Sequence, residues 1–346
     1  MRRRSILLGS TALAGTAGLA ACARDTRPRL NVYNWSEYIA PQTVANFEKE
    51  RGVRLVLSVY ESAEELLAKV FSGNSGWDVV FPSHYFLKPM RENNLLARLD
   101  HNRLPLLHHL SPAMQHPAWD ADLSWGVPYM LGATGIVHQE GIPAGDGGWE
   151  MLWRPSLSGK VSMLDDPSDA IGAALLKLGY SLNSIVPAEL LRAKEELVRQ
   201  KRVLRAYLNS EARQQLVAGD LAASQMWTTT SLLAMADAPG LRFYYPREGY
   251  LRYCDCAAIL KESARSELAH EFLNYLLRPE VAAANAVAAL TTPANGTART
   301  RLPETMRRSP VVFPDAETES RGEWVTPLPP QAQRLRDRLW TEIKAA

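Results

Sequence analysis

Apolar and polar positions along this chain switch repeatedly between a period of two and a period near four. Leu30-Asn31-Val32-Tyr33 reads as a short strand. Pro41 to Glu50 then reads as a helix, with Pro near its start, Val44 and Phe47 one turn apart, and Gly52 past its end. Arg54 to Tyr60 alternates, placing Leu55, Leu57 and Val59 on one face of a strand. Ser62 with Glu65 three residues on is a capping box, and it opens a helix carrying Leu66, Leu67 and Val70. Asp78 to Phe81 is a further strand, stopped by Pro82. A strand–helix–strand–helix rhythm of this kind predicts a mainly parallel sheet wrapped by helices. In such sheets ligands bind beyond the carboxyl ends of the strands, where Trp35, Ser83 and Tyr85 fall.

The second half continues in the same class. Strands are predicted at Val161 to Leu164, Ala222 to Trp227, Leu241 to Tyr245 and Tyr253 to Leu260, the second ending in Thr228-Thr229-Thr230. Helices are predicted at Ile171 to Leu178, Pro187 to Gln200, Ser210 to Ala218, Ser263 to Leu277 and Pro279 to Leu290. Pro303 to Pro330 is rich in Pro, Arg and Glu and reads as a wrapping segment before a last helix, Gln331 to Lys344. The whole pattern is α/β, and the length suits two lobes better than one.

The first residues follow different rules. Arg2-Arg3-Arg4 is a basic leader start, and Ile6 to Ala21 is an apolar run too short to span a membrane as a helix. Residues 1–21 are therefore expected to be a signal peptide, and the paired arginines permit export by the twin-arginine route. Leu19-Ala20-Ala21-Cys22 looks like a lipobox, which makes Cys22 the expected lipidation site and residues 22–28 a tethering stem. Without the three leader arginines the formal net charge of +2 falls to −1, no basis for a nucleic-acid partner. Cys254 and Cys256 stand one residue apart, a spacing on a strand that does not suit a bridge.

Several chemistries drop out. The chain contains no Gly-x-Ser-x-Gly elbow, Walker loop, His-Glu-x-x-His or Cys-x-x-Cys, and no nucleophile–base pair is apparent, so no enzyme is expected. His101, His108, His109 and His116 cluster in a Pro- and Leu-rich connection without matching ligand spacing, so no metal site is assigned. Tyr244-Tyr245 could offer oxygen ligands to ferric iron, but adjacent strand residues face opposite ways, and a packing role is expected.

What remains is a set of strand-end segments in which rings and acids converge. These are Trp35 with Glu37, Ser83 with Tyr85, Asp166 with Asp169, Trp227 with Thr228, and Tyr253 with Asp255. A ring face attracts positive charge and a carboxylate pairs with it, so the combination suits an organic cation. The order Val32-Tyr33-Asn34-Trp35-Ser36-Glu37-Tyr38-Ile39-Ala40-Pro41, Asp78-Val79-Val80-Phe81-Pro82-Ser83, Val127-Pro128-Tyr129, Gly132-Ala133-Thr134-Gly135-Ile136, Pro246-Arg247-Glu248-Gly249 and Phe272 to Pro279 is more specific. Over nearly the whole mature chain it resembles the spermidine/putrescine-binding periplasmic proteins of bacterial ABC transporters, the PotD/PotF-like group.

The resemblance implies a two-lobed, type II solute-binding fold with the ligand in the interlobe cleft. It divides the chain into a first lobe of 29–131 plus 255–299 and a second of 132–254 plus 300–346. It further implies a monomeric receptor in the periplasm, lipid-anchored, that delivers spermidine or putrescine to an inner-membrane permease, with no cofactor. An anchored polyamine sensor and a ferric-iron binder of the same fold are the alternatives. Carried over residue by residue, the expected ligand contacts are Trp35, Ser36, Glu37, Tyr38, Ser83, Tyr85, Asp166, Asp169, Trp227, Tyr253 and Asp255. Carboxylates would meet the ammonium groups, and Trp35, Tyr85, Trp227 and Tyr253 would pack on the methylenes. The chain departs from the group at Tyr253, where Trp is usual, at Thr228-Thr229-Thr230, which lacks an acid, and at Val325, where a Gln contact is expected.

Overall fold

The computed structural model describes residues 25–346; the expected leader, Cys22 and the start of the stem lie outside the described residues. Parallel pairing builds the first half: β1 (Arg29–Trp35) lies between β2 (Arg54–Tyr60) and β3 (Val79–Val80). The crossovers are α1 (Pro41–Arg51) and α2 (Ala63–Phe71), and α3 (His84–Glu92) follows β3. Gly52 ends α1 at φ 64°, a left-handed conformation that suits a residue without Cβ. Half of the predicted capping box forms. The Ser62 hydroxyl accepts from the Glu65 N–H at 3.2 Å, while the Glu65 carboxylate accepts from the Glu61 N–H and the Tyr33 hydroxyl.

After the short α4 (Pro112–Gln115), the chain enters a 13-residue strand, β4 (Val127–Gln139), which the hydrophobic pattern did not reveal. Its first part pairs antiparallel with β9 (Tyr250–Ile259), its second with β7 (Ala223–Trp227) and β8 (Leu241–Tyr244). Met130 belongs to one hydrophobic core and Ile136 to the other, so the strand crosses between them. β9 crosses likewise, from Tyr250 in the second core to Ile259 in the first. The second half repeats the parallel arrangement with β5 (Val161–Met163) between β6 (Leu204–Tyr207) and β7, wrapped by α5 (Pro167–Lys177), α6 (Pro187–Gln200) and α7 (Glu211–Val217).

A helix, α8 (Thr228–Asp237), starts where the sequence predicted only a strand end, so Thr228-Thr229-Thr230 forms its first turn. β-Branched residues disfavour a helix interior, but here Trp227 closes the strand at extended φ/ψ and tertiary packing decides the rest. α9 (Ser266–Leu276) and α10 (Pro279–Ala288) return the chain to the first core. The tail is more ordered than a plain wrapping segment. After β10 (Thr292–Pro293) it carries α11 (Glu304–Arg307), α12 (Ala316–Ser320) and β11 (Gly322–Trp324), which pairs with β9, before α13 (Pro330–Ala345). Leu302 and Met306 lie in the first core and Val325 and Trp340 in the second, so the tail bridges both.

Cys254 and Cys256 are buried free thiols in the first core, their sulfurs 3.8 Å apart. Among the described residues, no helix is long and apolar enough to cross a membrane.

Candidate functional site

A cleft of about 660 Å³ opens between the halves at the carboxyl ends of the parallel strands. Trp35, Ser36, Glu37, Tyr38, Ser83, Tyr85, Asp166, Asp169, Trp227, Tyr253 and Asp255 all line it. Each stands where a strand gives way to a loop or helix, or, for Tyr253 and Asp255, on the crossing strand β9.

Asp255 is the inner acid. It is 3 % exposed, and it accepts hydrogen bonds from Ser83 Oγ at 2.6 Å and Tyr38 Oη at 2.8 Å. The Ser83 residue is held by a bridge between its backbone and that of Asp255, and Tyr129 donates its hydroxyl to the Tyr38 carbonyl. Burial lifts the Asp255 carboxyl to about 6, and the two hydroxyls pull back only part of that shift.

The second acidic station is the pair Asp166 and Asp169. Asp166 caps α5, its Oδ1 accepting from the Ser168 and Asp169 N–H groups at 2.7 and 3.1 Å. Asp169 is 5 % exposed; its Oδ2 accepts from the Trp227 indole N–H at 3.1 Å and its Oδ1 has no partner. Burial first, then the Glu64 charge, raises the Asp166 carboxyl to about 6. Burial and the neighbouring Asp166 push Asp169 well above the ordinary carboxylate range. The two acids titrate as a pair.

Aromatic rings separate the stations. The Tyr85 hydroxyl is buried and feels the charges of Asp166, Asp169 and Asp255; Tyr253 feels both Asp255 and Asp169. Both phenols are raised by burial and stay neutral. Trp35 is fixed by its indole N–H, which donates to the Phe81 carbonyl at 3.0 Å, and by the Tyr60 ring at 4.5 Å. Ser36 is held by its N–H on the Tyr60 carbonyl at 3.2 Å.

Glu37 occupies a different position from the inner acids. Its backbone is left-handed, at φ 55°, and its carboxylate is 63 % exposed and paired with Arg213 at 3.3 Å. Arg213, Glu64 and Thr229 also line the cleft, and the sequence reading missed all three. Glu64 lies beyond the end of β2, so the strand-end rule could have found it. Arg213 sits inside a helical stretch, where spacing alone gave no signal. Val325 does not line the cleft: it is buried in the second core, and its carbonyl accepts from His84 Nε2.

Tyr244 and Tyr245 donate their hydroxyls to the Gly148 and Val311 carbonyls and pack away from the cleft, which leaves them no shared metal-facing geometry. His101, His108 and His116 each meet a backbone carbonyl, and His109 meets the Thr297 hydroxyl. Among the described residues, no three His, Cys, Asp or Glu side chains group as a metal site.

The sequence matches a known family over residues 42–311, the bacterial extracellular solute-binding proteins. The chain belongs to that family. It is 30% identical to spermidine/putrescine-binding periplasmic protein 1 of Haemophilus influenzae, across 96% of this chain and 92% of that one. It is also 30% identical to the putrescine-binding periplasmic protein PotF of Escherichia coli, across 98% and 96%. Among solved structures, a putative spermidine/putrescine ABC transporter protein from Listeria monocytogenes superposes with a TM-score of 0.86 at 28% identity, covering 91% of this chain and 98% of that one. This solute-binding protein therefore shares the two-lobed α/β architecture, with β4 and β9 as the strands that cross between its cores. Its relatives are binding proteins of transport systems rather than enzymes.

Proposed function

We propose that this protein is an extracytoplasmic receptor for a short polyamine, which it hands to an ABC permease. The observation that carries the reading is one cleft lined by two acidic stations, Asp255 and Asp166/Asp169, together with Tyr85 and Tyr253, whose hydroxyls feel the charges of both stations. An alkyl chain with an ammonium group at each end needs that order of acid, apolar wall and acid. Asp169, whose buried Oδ1 has no hydrogen-bond partner, takes one ammonium, and Asp255 takes the other. The names of the relatives point to the same ligand class.

In this reading Trp35, Tyr85, Trp227 and Tyr253 line the methylenes, and Ser36 and Ser83 accept remaining N–H donors. The lobes, 29–131 with 255–299 and 132–254 with the tail from Val325 on, close by bending β4 and β9, while Leu302 and Met306 pack with the first lobe rather than with the second as the resemblance implied. Cys22 tethers the monomer to the membrane on the periplasmic side. Titration calorimetry of the purified protein tests the ligand: heat with putrescine or spermidine and none with amino acids is expected. Silence from every diamine and polyamine would sink the proposal.

Gly132 supplies a test of the aromatic wall. It faces Tyr253 across the β4–β9 pairing, and a Cβ there would lie 2.2 Å from Tyr253 Cζ. Gly132→Ala is expected to push the ring out of place, costing about 1–3 kcal/mol of stability from overpacking and weakening polyamine binding. Unfolding in denaturant and calorimetry measure the two effects; unchanged affinity would remove Tyr253 from the wall.

A further inference from the structure

We infer that Arg213 serves as a built-in cation at the rim of the cleft, making the site select a ligand with two ammonium groups over one with three. The inference rests on the polyamine reading and narrows it. Arg213, on α7, reaches across the cleft mouth to Glu37 at 3.3 Å and is anchored behind by Asp237 at 2.8 Å. It is only 25 % exposed, although both of its partners are more open. A second contact holds α7 against the other lobe: Ser210 donates its hydroxyl to Glu61 at 3.1 Å. That docking fixes where the guanidinium sits.

The charges along the cleft then sort themselves. Asp255 and Asp169 are buried and Asp166 is half-buried, and among the described residues none of the three pairs with a protein cation. Glu37 is the remaining acid of the β1–α1 turn, and it already has its cation. A diamine fills both inner stations and leaves the rim pair intact. A triamine whose third ammonium is directed at Glu37 meets the guanidinium and must displace it or turn aside to Glu61, Glu64 or Glu211, which also line the cleft. Like charge at that point discriminates by repulsion, and the attractive contacts inside are the same for both ligands.

The test compares putrescine and spermidine by calorimetry on the parent protein, Arg213→Gln and Arg213→Lys. The parent is expected to prefer putrescine. Arg213→Gln is expected to raise spermidine affinity about tenfold more than putrescine affinity, the scale of one partly shielded charge contact. Arg213→Lys keeps the charge and is expected to keep the preference. Thermal unfolding of each variant establishes that it is folded. If both amines bind and the ratio is the same in Arg213→Gln as in the parent, the role given to Arg213 is overturned while the polyamine reading stands. If neither amine binds the parent, the polyamine reading itself is overturned.

Discussion

Asp255→Asn is expected to weaken polyamine binding about a hundredfold and to leave the empty protein no less stable than the parent. The two halves of that result have one cause. Asp255 is buried between Ser83 and Tyr38, and among the described residues no protein cation pairs with it, so its charge is useful only when an ammonium arrives. Burial raises its carboxyl from 3.8 to about 6. At neutral pH, holding it ionised in the empty fold therefore costs about 3 kcal/mol. Asparagine removes that cost and fits the same space. Its amide oxygen can accept from one hydroxyl and its NH₂ can donate to the other. On ligand binding the balance reverses, because an ammonium beside a neutral amide loses its charge partner. A charge-assisted hydrogen bond is worth about 1.5–3 kcal/mol, and breaking a buried ion pair costs up to about 5 kcal/mol. A loss of about 2.8 kcal/mol is a factor of about a hundred in affinity. Calorimetry gives the affinity and thermal unfolding the stability. Binding within threefold of the parent would take Asp255 out of the site.

Much of this cleft is legible in the sequence because its parts sit at strand ends, and strand ends can be read from alternating apolar residues and the Pro or Ser that interrupts them. Leu30 to Tyr33 leads to Trp35, Asp78 to Phe81 leads to Ser83, and Val161 to Leu164 leads to Asp166. The parallel topology then gathers these ends on one side. What the alternation could not show was β4. Almost every residue of that strand is buried on both faces, so no polar face marks it, and Pro128, Gly132 and Gly135 look like breaks. The glycines are there because Tyr253 and Phe243 lie against the backbone, a fact that belongs to tertiary packing. α8 was hidden by three threonines in its first turn. Arg213 was hidden for a simpler reason: α7 is short, and the packing of Ala212 and Leu216 in a third small core, together with the docking of Ser210 on Glu61, decides which side of it faces the cleft.

The pH dependence follows from the same empty-cleft charges. Polyamine affinity is expected to hold above pH 7 and to fall about a hundredfold between pH 7.5 and pH 5, since each carboxyl with a value near 6 contributes about tenfold one unit below it. Two carboxyls meet that condition, Asp255 and Asp166, both raised to about 6 chiefly by burial. Asp169, pushed up by burial and by Asp166, adds to the same dependence. Heats measured in buffers of different ionisation enthalpy should therefore report proton release near pH 6, where both carboxyls are partly protonated in the empty cleft. The stability of the empty protein runs the other way. These folded-state values lie above the ordinary 3.8, so the fold binds protons more tightly than the unfolded chain. Their contribution to stability rises as pH falls from about 6 towards 4. The melting temperature of the empty protein should thus gain from acidification in that window, while the increment produced by ligand shrinks to little at pH 5. The contrast separates loss of binding from loss of folding, because an unfolding protein would lose both together. A dissociation constant that stays flat from pH 7.5 to pH 5 would mean that the ligand's ammonium groups are not held by these buried carboxylates.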